Sequence, residues 1–196
     1  MGAIFLSASV PTKQPFDADA RPQEIQAAIS ALAQVVLGRK KLVWGGHPAI
    51  TPLLWAAAQA VGVEYAVAVD LFQSRFFKEE AFPRENKHFA NVTYVEPVDG
   101  NLVKSLKAMR LAMMTSTEFE AAVFVGGMEG ILDEYSMFTA TWPNATCIPI
   151  AQTGGAAMQL ASDIGYQPPS DVAPLDFVAL LYRELNIRPR QKRELK

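Results

Sequence analysis

Apolar runs of strand length alternate along the chain with segments in which apolar residues return at helical spacing. AIFLSAS (residues 3–9) reads as a strand, and QEIQAAISALAQVVLG puts Ile25, Ile29, Leu32 and Val36 on one helical face. KLVWGG and ITPLLWAAAQAVG repeat the pairing, with Gly62 as the helix stop. EYAVAVDLF reads as a third strand whose unbroken apolar character predicts burial on both faces. A more polar section, SRFFKEEAFPRENKHF, precedes a fourth strand, VTYVEPV, and the helix GNLVKSLKAMRLAMMTST. EAAVFVGG with GILDEYSMFTATW, then ATCIPIAQTGG with AAMQLASDIG, supply two further pairs, and PLDFVALLYRELN the last helix.

Six strands separated by helices predict an α/β fold, a single-domain Rossmann-like doubly wound parallel sheet with helices on both faces. Parallel strands need crossover connections, and the helices then bury the sheet. The domain is expected over residues 1–187, with residues 188–196 a basic, solvated tail. No repeat or low-complexity linker divides the chain.

Composition narrows the function. The 196 residues are half apolar, enough for one core, and 18 basic against 20 acidic residues give a net charge of −2. No global field therefore favours nucleic acid or an acidic membrane. The single Cys147 cannot form an intrachain disulfide and no histidine or thiol cluster has metal-ligand spacing, so a cytoplasmic chain without a metal site is expected. The apolar run at the N-terminus is too short for a signal peptide or a membrane span. Neither the G-x-G-x-x-G fingerprint nor the Walker loop is present, which argues against a dinucleotide dehydrogenase or a P-loop nucleotidase, and no bound cofactor is expected.

In a doubly wound sheet the ligand crevice lies beyond the carboxyl ends of the strands. There the sequence places Ser7 and Ser9; Gly45, Gly46 and His47; Gly126 and Gly127; and Thr153 and Gly154. Small residues leave space, and glycines let backbone N–H groups approach an anion at a helix N-terminus, so a phosphate-bearing ligand is expected. His47 suits stacking on a base or bonding to phosphate, or else local capping. Met109, Met113 and Met114 read as core, and Phe72, Phe76, Phe77 and Phe82 as either a base-pocket border or core and dimer contacts.

MRLAMMTSTEFEAAVFVGGMEGILDEYSMF resembles the centre of the lysine decarboxylase-like LOG proteins, within the SLOG superfamily that also holds DprA/Smf-type domains and sensor domains. LOG proteins carry a Met-x-x-Arg-Lys helix before a strand ending in Pro-Gly-Gly-x-Gly-Thr-x-x-Glu. Here Arg110, Gly126, Gly127, Gly130 and Glu134 stand at matching places, and KLVWGGHPAI resembles an earlier glycine-rich turn. Val125 replaces the proline, Ile131 the threonine and Leu111 the lysine, and one extra residue precedes Gly130. These departures leave the fold expectation intact and detach it from the cytokinin nucleotide of LOG itself.

The resemblance implies hydrolysis of the N-glycosidic bond of a nucleoside monophosphate or a related nucleotide. Glu134 would stabilise the cationic sugar and orient water, and Arg110 would hold phosphate or the glutamate. Gly126, Gly127, Met128 and Gly130 would offer N–H groups to phosphate, with Glu129 and Ile131 in the same turn. The alternative from the same superfamily is a non-catalytic sensor of a nucleotide-derived signal such as an ADP-ribose-type molecule. LOG-like proteins are usually dimers, so a homodimer is expected as well.

Overall fold

A computed structural model describes residues 2–194. Its strands are β1 (Ala3–Ser9), β2 (Leu42–Trp44), β3 (Val69–Ser74), β4 (Asn91–Val95), β5 (Phe119–Gly126) and β6 (Thr146–Ile150). The helices are α1 (Pro22–Val36), α2 (Thr51–Val61), α3 (Leu102–Met114), α4 (Glu129–Thr141), α5 (Gly155–Asp163) and α6 (Phe177–Glu184). All strand pairs are parallel, in the order β4-β3-β2-β1-β5-β6, so the chain winds outward from β1 on one side and resumes beside it with β5. This is the expected Rossmann-like α/β sheet, with a strand in each of the six apolar runs.

Alternation along the buried strands divides the core in two. Ile4 and Leu6 of β1, Leu42 and Trp44 of β2, and Val123 and Val125 of β5 pack under α1, α2 and α6. Phe5, Val43 and Phe124 point the other way, into Met109 and Met113 of α3, Phe138 of α4 and Leu160 of α5. In α1 the predicted stripe of Ile25, Ile29, Leu32 and Val36 is fully buried, and Pro22 starts the helix where its missing N–H is not needed.

Three expectations change. EYAVAVDLF is a strand only in its second half: residues Val63–Ala68 form 3-10 turns and Val63 is 55% exposed. The neighbouring β2 pairs only from Leu42, opposite Val69, so earlier residues have no ladder to join. Between β3 and β4 no α-helix forms. Two short 3-10 turns, Glu79–Ala81 and Arg84–His88, make that crossover, pinned where His88 stacks on Trp55 of α2 at 4.6 Å.

The basic tail is also not fully solvated. Arg193 donates to the carbonyls of Gln34 and Leu37 and lies over the Tyr65 ring, while Arg39 donates to the Gln191 carbonyl at 2.9 Å. Carbonyls at the end of α1 lack helical donors, and these guanidiniums supply them. Among the described residues no helix is long and apolar enough to cross a membrane.

The anchor that matters most for α4 is Phe138, fully buried, stacked on Phe5 at 5.4 Å and edge-on to Phe119 at 5.7 Å. Phe138→Ala is expected to cost about 3–5 kcal/mol, read as a lower urea midpoint at unchanged slope. A loss below about 1 kcal/mol would show that α4 is not held by this contact.

Candidate functional site

Three elements bring their side chains together on the α3/α4 side of the sheet. Ser7, on the same face of β1 as Ala3 and Phe5, is 1% exposed and points toward α4. Its hydroxyl donates to Glu134 Oε2 at 2.5 Å, and Arg110 Nε of α3 donates to Glu134 Oε1 at 3.0 Å. Arg110 Nη1 reaches Asp133 Oδ2 at 3.3 Å. The Arg110 and Glu134 side chains are only 15% and 16% exposed, whereas Asp133 is 66% exposed. Glu134 and Phe138 lie four residues apart on one face of α4, so the aromatic anchor sets the height of the carboxylate above β1.

Burial pushes the Glu134 carboxyl above the ordinary carboxylate range. The Arg110 charge and the hydrogen bonds from Ser7 and Arg110 pull it back without reversing the shift, and Asp133 adds a smaller upward push. A carboxyl raised on folding contributes stability at low pH that is lost as pH rises through its folded value. The ionised form is thus held at a cost that the guanidinium and hydroxyl only partly offset.

Beside this group a cavity of about 390 Å³ opens at the carboxyl ends of β1, β2 and β3, under α3 and the first turn of α4. Ser7, Ser9, Gly45, Gly46, His47, Arg110, Met128, Gly130, Ile131 and Glu134 all border it. Its apolar wall comes from Leu106 and Met109 and from Phe77, Phe82 and Pro83 of the β3–β4 connection. Of the residues read as core or border, Met113 and Met114 are buried elsewhere, and Phe72 and Phe76 do not reach the cavity.

Five of the proposed ligand contacts lie outside the cavity. The Gly126 and Gly127 N–H groups are already used, donating to Thr153 Oγ1 and to the Ser9 carbonyl, each at 2.8 Å. Thr153 also donates to the Ile150 carbonyl at 2.6 Å, so its hydroxyl ties β6 to β5. Gly154 backs onto the Asp19 carbonyl, and Glu129 is exposed to solvent. The glycine pair therefore builds the turn: Gly127 has φ +80°, and a Cβ there would fall 2.0 Å from Ile131 Cδ1. Among the described residues the N–H groups left without an acceptor in this turn are those of Met128, Glu129 and Gly130.

His47 borders the cavity but is held locally, its Nδ1 accepting from the Ala49 N–H at 3.2 Å while its carbonyl receives the Ile50 and Thr51 N–H groups. Burial lowers its pKa, so it is neutral at pH 7 and adds no cation. Two polar residues were missed by the sequence reading, Gln73 and Ser74, which end β3 at the cavity. The signal was present as two polar residues closing an apolar strand. Gln73 Nε2 donates to the Gly46 carbonyl at 2.8 Å, and a Cβ on Gly46 (φ +67°) would lie 1.8 Å from that nitrogen. Among the described residues no group of three potential metal ligands occurs.

The Ser7 hydroxyl thus faces the carboxylate rather than open space. Ser7→Ala is expected to raise the Glu134 pKa further, followed by 13C NMR of the labelled carboxyl carbon, with little change in fold. An unchanged titration would mean that the hydroxyl does not stabilise the ionised form.

Comparison with known proteins agrees with the architecture and with the motif resemblance. No curated protein matches the chain. The profile of the SLOG cluster3 family matches residues 15–185, from the loop before α1 to the end of α6. The chain belongs to the SLOG cluster3 family.

Proposed function

We propose that the cavity binds a nucleotide or nucleotide-derived molecule and that the protein hydrolyses its N-glycosidic bond, using Glu134 and Arg110. SLOG membership supports a nucleotide-related ligand. The observation that carries the catalytic part is the buried Ser7–Glu134–Arg110 group at the edge of a cavity of about 390 Å³, within the usual range for small-molecule sites. Uncommitted N–H groups at the start of α4 suit the phosphate, and the Phe77, Phe82 and Met109 wall suits a base.

In this reaction the bond from the anomeric carbon to the base nitrogen breaks, and its electron pair leaves with the base, which takes up a proton. Water oxygen bonds to the same carbon, and Glu134 accepts the water proton. The positive charge that builds on the sugar faces the carboxylate. Arg110 keeps that carboxylate oriented and lowers the cost of its ionisation.

A sensor reading has one observation in its favour. Both Glu134 oxygens already accept hydrogen bonds, and burial favours the protonated form, which cannot act as a base. A panel of nucleoside monophosphates, NAD and ADP-ribose species, followed by chromatography and thermal shift, separates the two. Base release that is lost in Glu134→Gln and Arg110→Ala, by at least roughly a hundredfold, supports hydrolysis. A panel recovered intact, with one member raising Tm by mass action, supports sensing. With Glu134 acting as a base, the acidic limb of the rate profile lies above the ordinary carboxylate range, because the raised pKa leaves the acid protonated to higher pH.

We also propose a homodimer in a cytoplasmic setting. Val103 and Leu111 of α3 are 75% and 52% exposed, and a second copy packed on that helix would cover them. Sedimentation velocity at micromolar concentration is expected to show the dimer, and a monomer alone would remove the proposal.

A further inference from the structure

Among the described residues Arg110 is the only permanently cationic side chain bordering the cavity, and two of its three nitrogens are already committed to carboxylates. The third, Nη2, has no partner among the described residues and lies 2.8 Å from where a Gly130 Cβ would be. It therefore sits over the first turn of α4, at Gly130, whose N–H has no acceptor. Guanidinium and helix start converge on one small volume, and an alanine at Gly130 would intrude there.

The charge of that volume is offset from the other side. Glu134 takes Nε in a short, enclosed contact, but the Asp133 contact to Nη1 is longer, 3.3 Å, and Asp133 is 66% exposed. It is the partner that an incoming anion can displace at little cost, since an exposed pair of this kind is weak. Glu129, in the same turn, is exposed and does not touch Arg110.

Resting on the nucleotide reading of the cavity, we infer that Asp133 is a specificity-determining residue, which competes with the ligand's phosphate for Arg110 and so sets how much anionic charge the site accepts. Phosphate takes over Nη1 and Nη2 as a fork, and Asp133 turns to solvent. The residue penalises highly charged ligands relative to neutral ones, since its own charge stays near the site after displacement.

Calorimetric titration of Asp133→Asn with inorganic phosphate, AMP, ADP-ribose and adenosine tests this. AMP and ADP-ribose are expected to bind roughly three- to tenfold more tightly than to the unaltered protein, with adenosine unchanged. Asp133→Glu, which keeps the charge, should bind like the unaltered protein, and Glu129→Gln should change affinity less than Asp133→Asn. Unchanged or weaker binding of the phosphate-bearing probes in Asp133→Asn, or equal tightening of adenosine, overturns the inference while leaving the nucleotide reading standing. If none of the probes binds either protein, that reading fails and the inference falls with it.

Discussion

Helices that leave a parallel sheet in opposite directions on either side of one strand cannot both cover that strand's carboxyl end. Here the strand is β1, flanked by β2 on the outward arm and β5 on the return, and paired with β5 along its whole length. The opening is a consequence of topology and would exist with any side chains. Ser7 at that end of β1, Glu134 just inside the helix after β5 and Arg110 in the helix before it decide what it can do.

Those side chains form an arrangement that works against stability. A carboxyl pushed upward by burial is unfavourable in an interior, and beside it stand an arginine shared between two acids and three N–H groups without a protein acceptor. Two continuous apolar layers, one on each face of the sheet, supply the compensation. A local cost of this kind at one cleft is the pattern expected where a ligand completes the bonding.

Strand positions were legible because both sheet faces are buried, so the apolar runs had to be nearly continuous. The first half of EYAVAVDLF shows the limit: apolar content persists through Val63–Ala68, but pairing depends on the length of β2, which no local pattern encodes. Arg110 and Glu134 were legible only as a pair, through the spacing of a motif, and their contact at 3.0 Å depends on α3 packing against α4. The uses of Gly126, Gly127 and Thr153 were not legible. A glycine that frees an N–H for an anion and one that turns the chain while its N–H binds a neighbouring strand look identical in sequence. Gln73 and Ser74 escaped for the opposite reason, since polar residues at a strand end have no periodicity to mark them as part of a site.

The internal bonds of the glycine pair bear on the site more than direct ligand contact would. Gly127 N–H holds the Ser9 carbonyl and Gly127 carbonyl receives the Ala156 N–H, so β1, β5 and α5 meet at a single residue. That residue fixes where α4 begins, and α4 then carries three open N–H groups outward and Glu134 one turn inward. The stacked Phe5 and Phe138 fix the far side of the same helix. Between these two restraints α4 has little freedom to tilt, so the carboxylate meets Ser7 and Arg110 by construction. A ligand entering the cavity would find the carboxylate and the helix start already oriented, and the pieces left to move are the exposed Asp133 and the free end of the guanidinium.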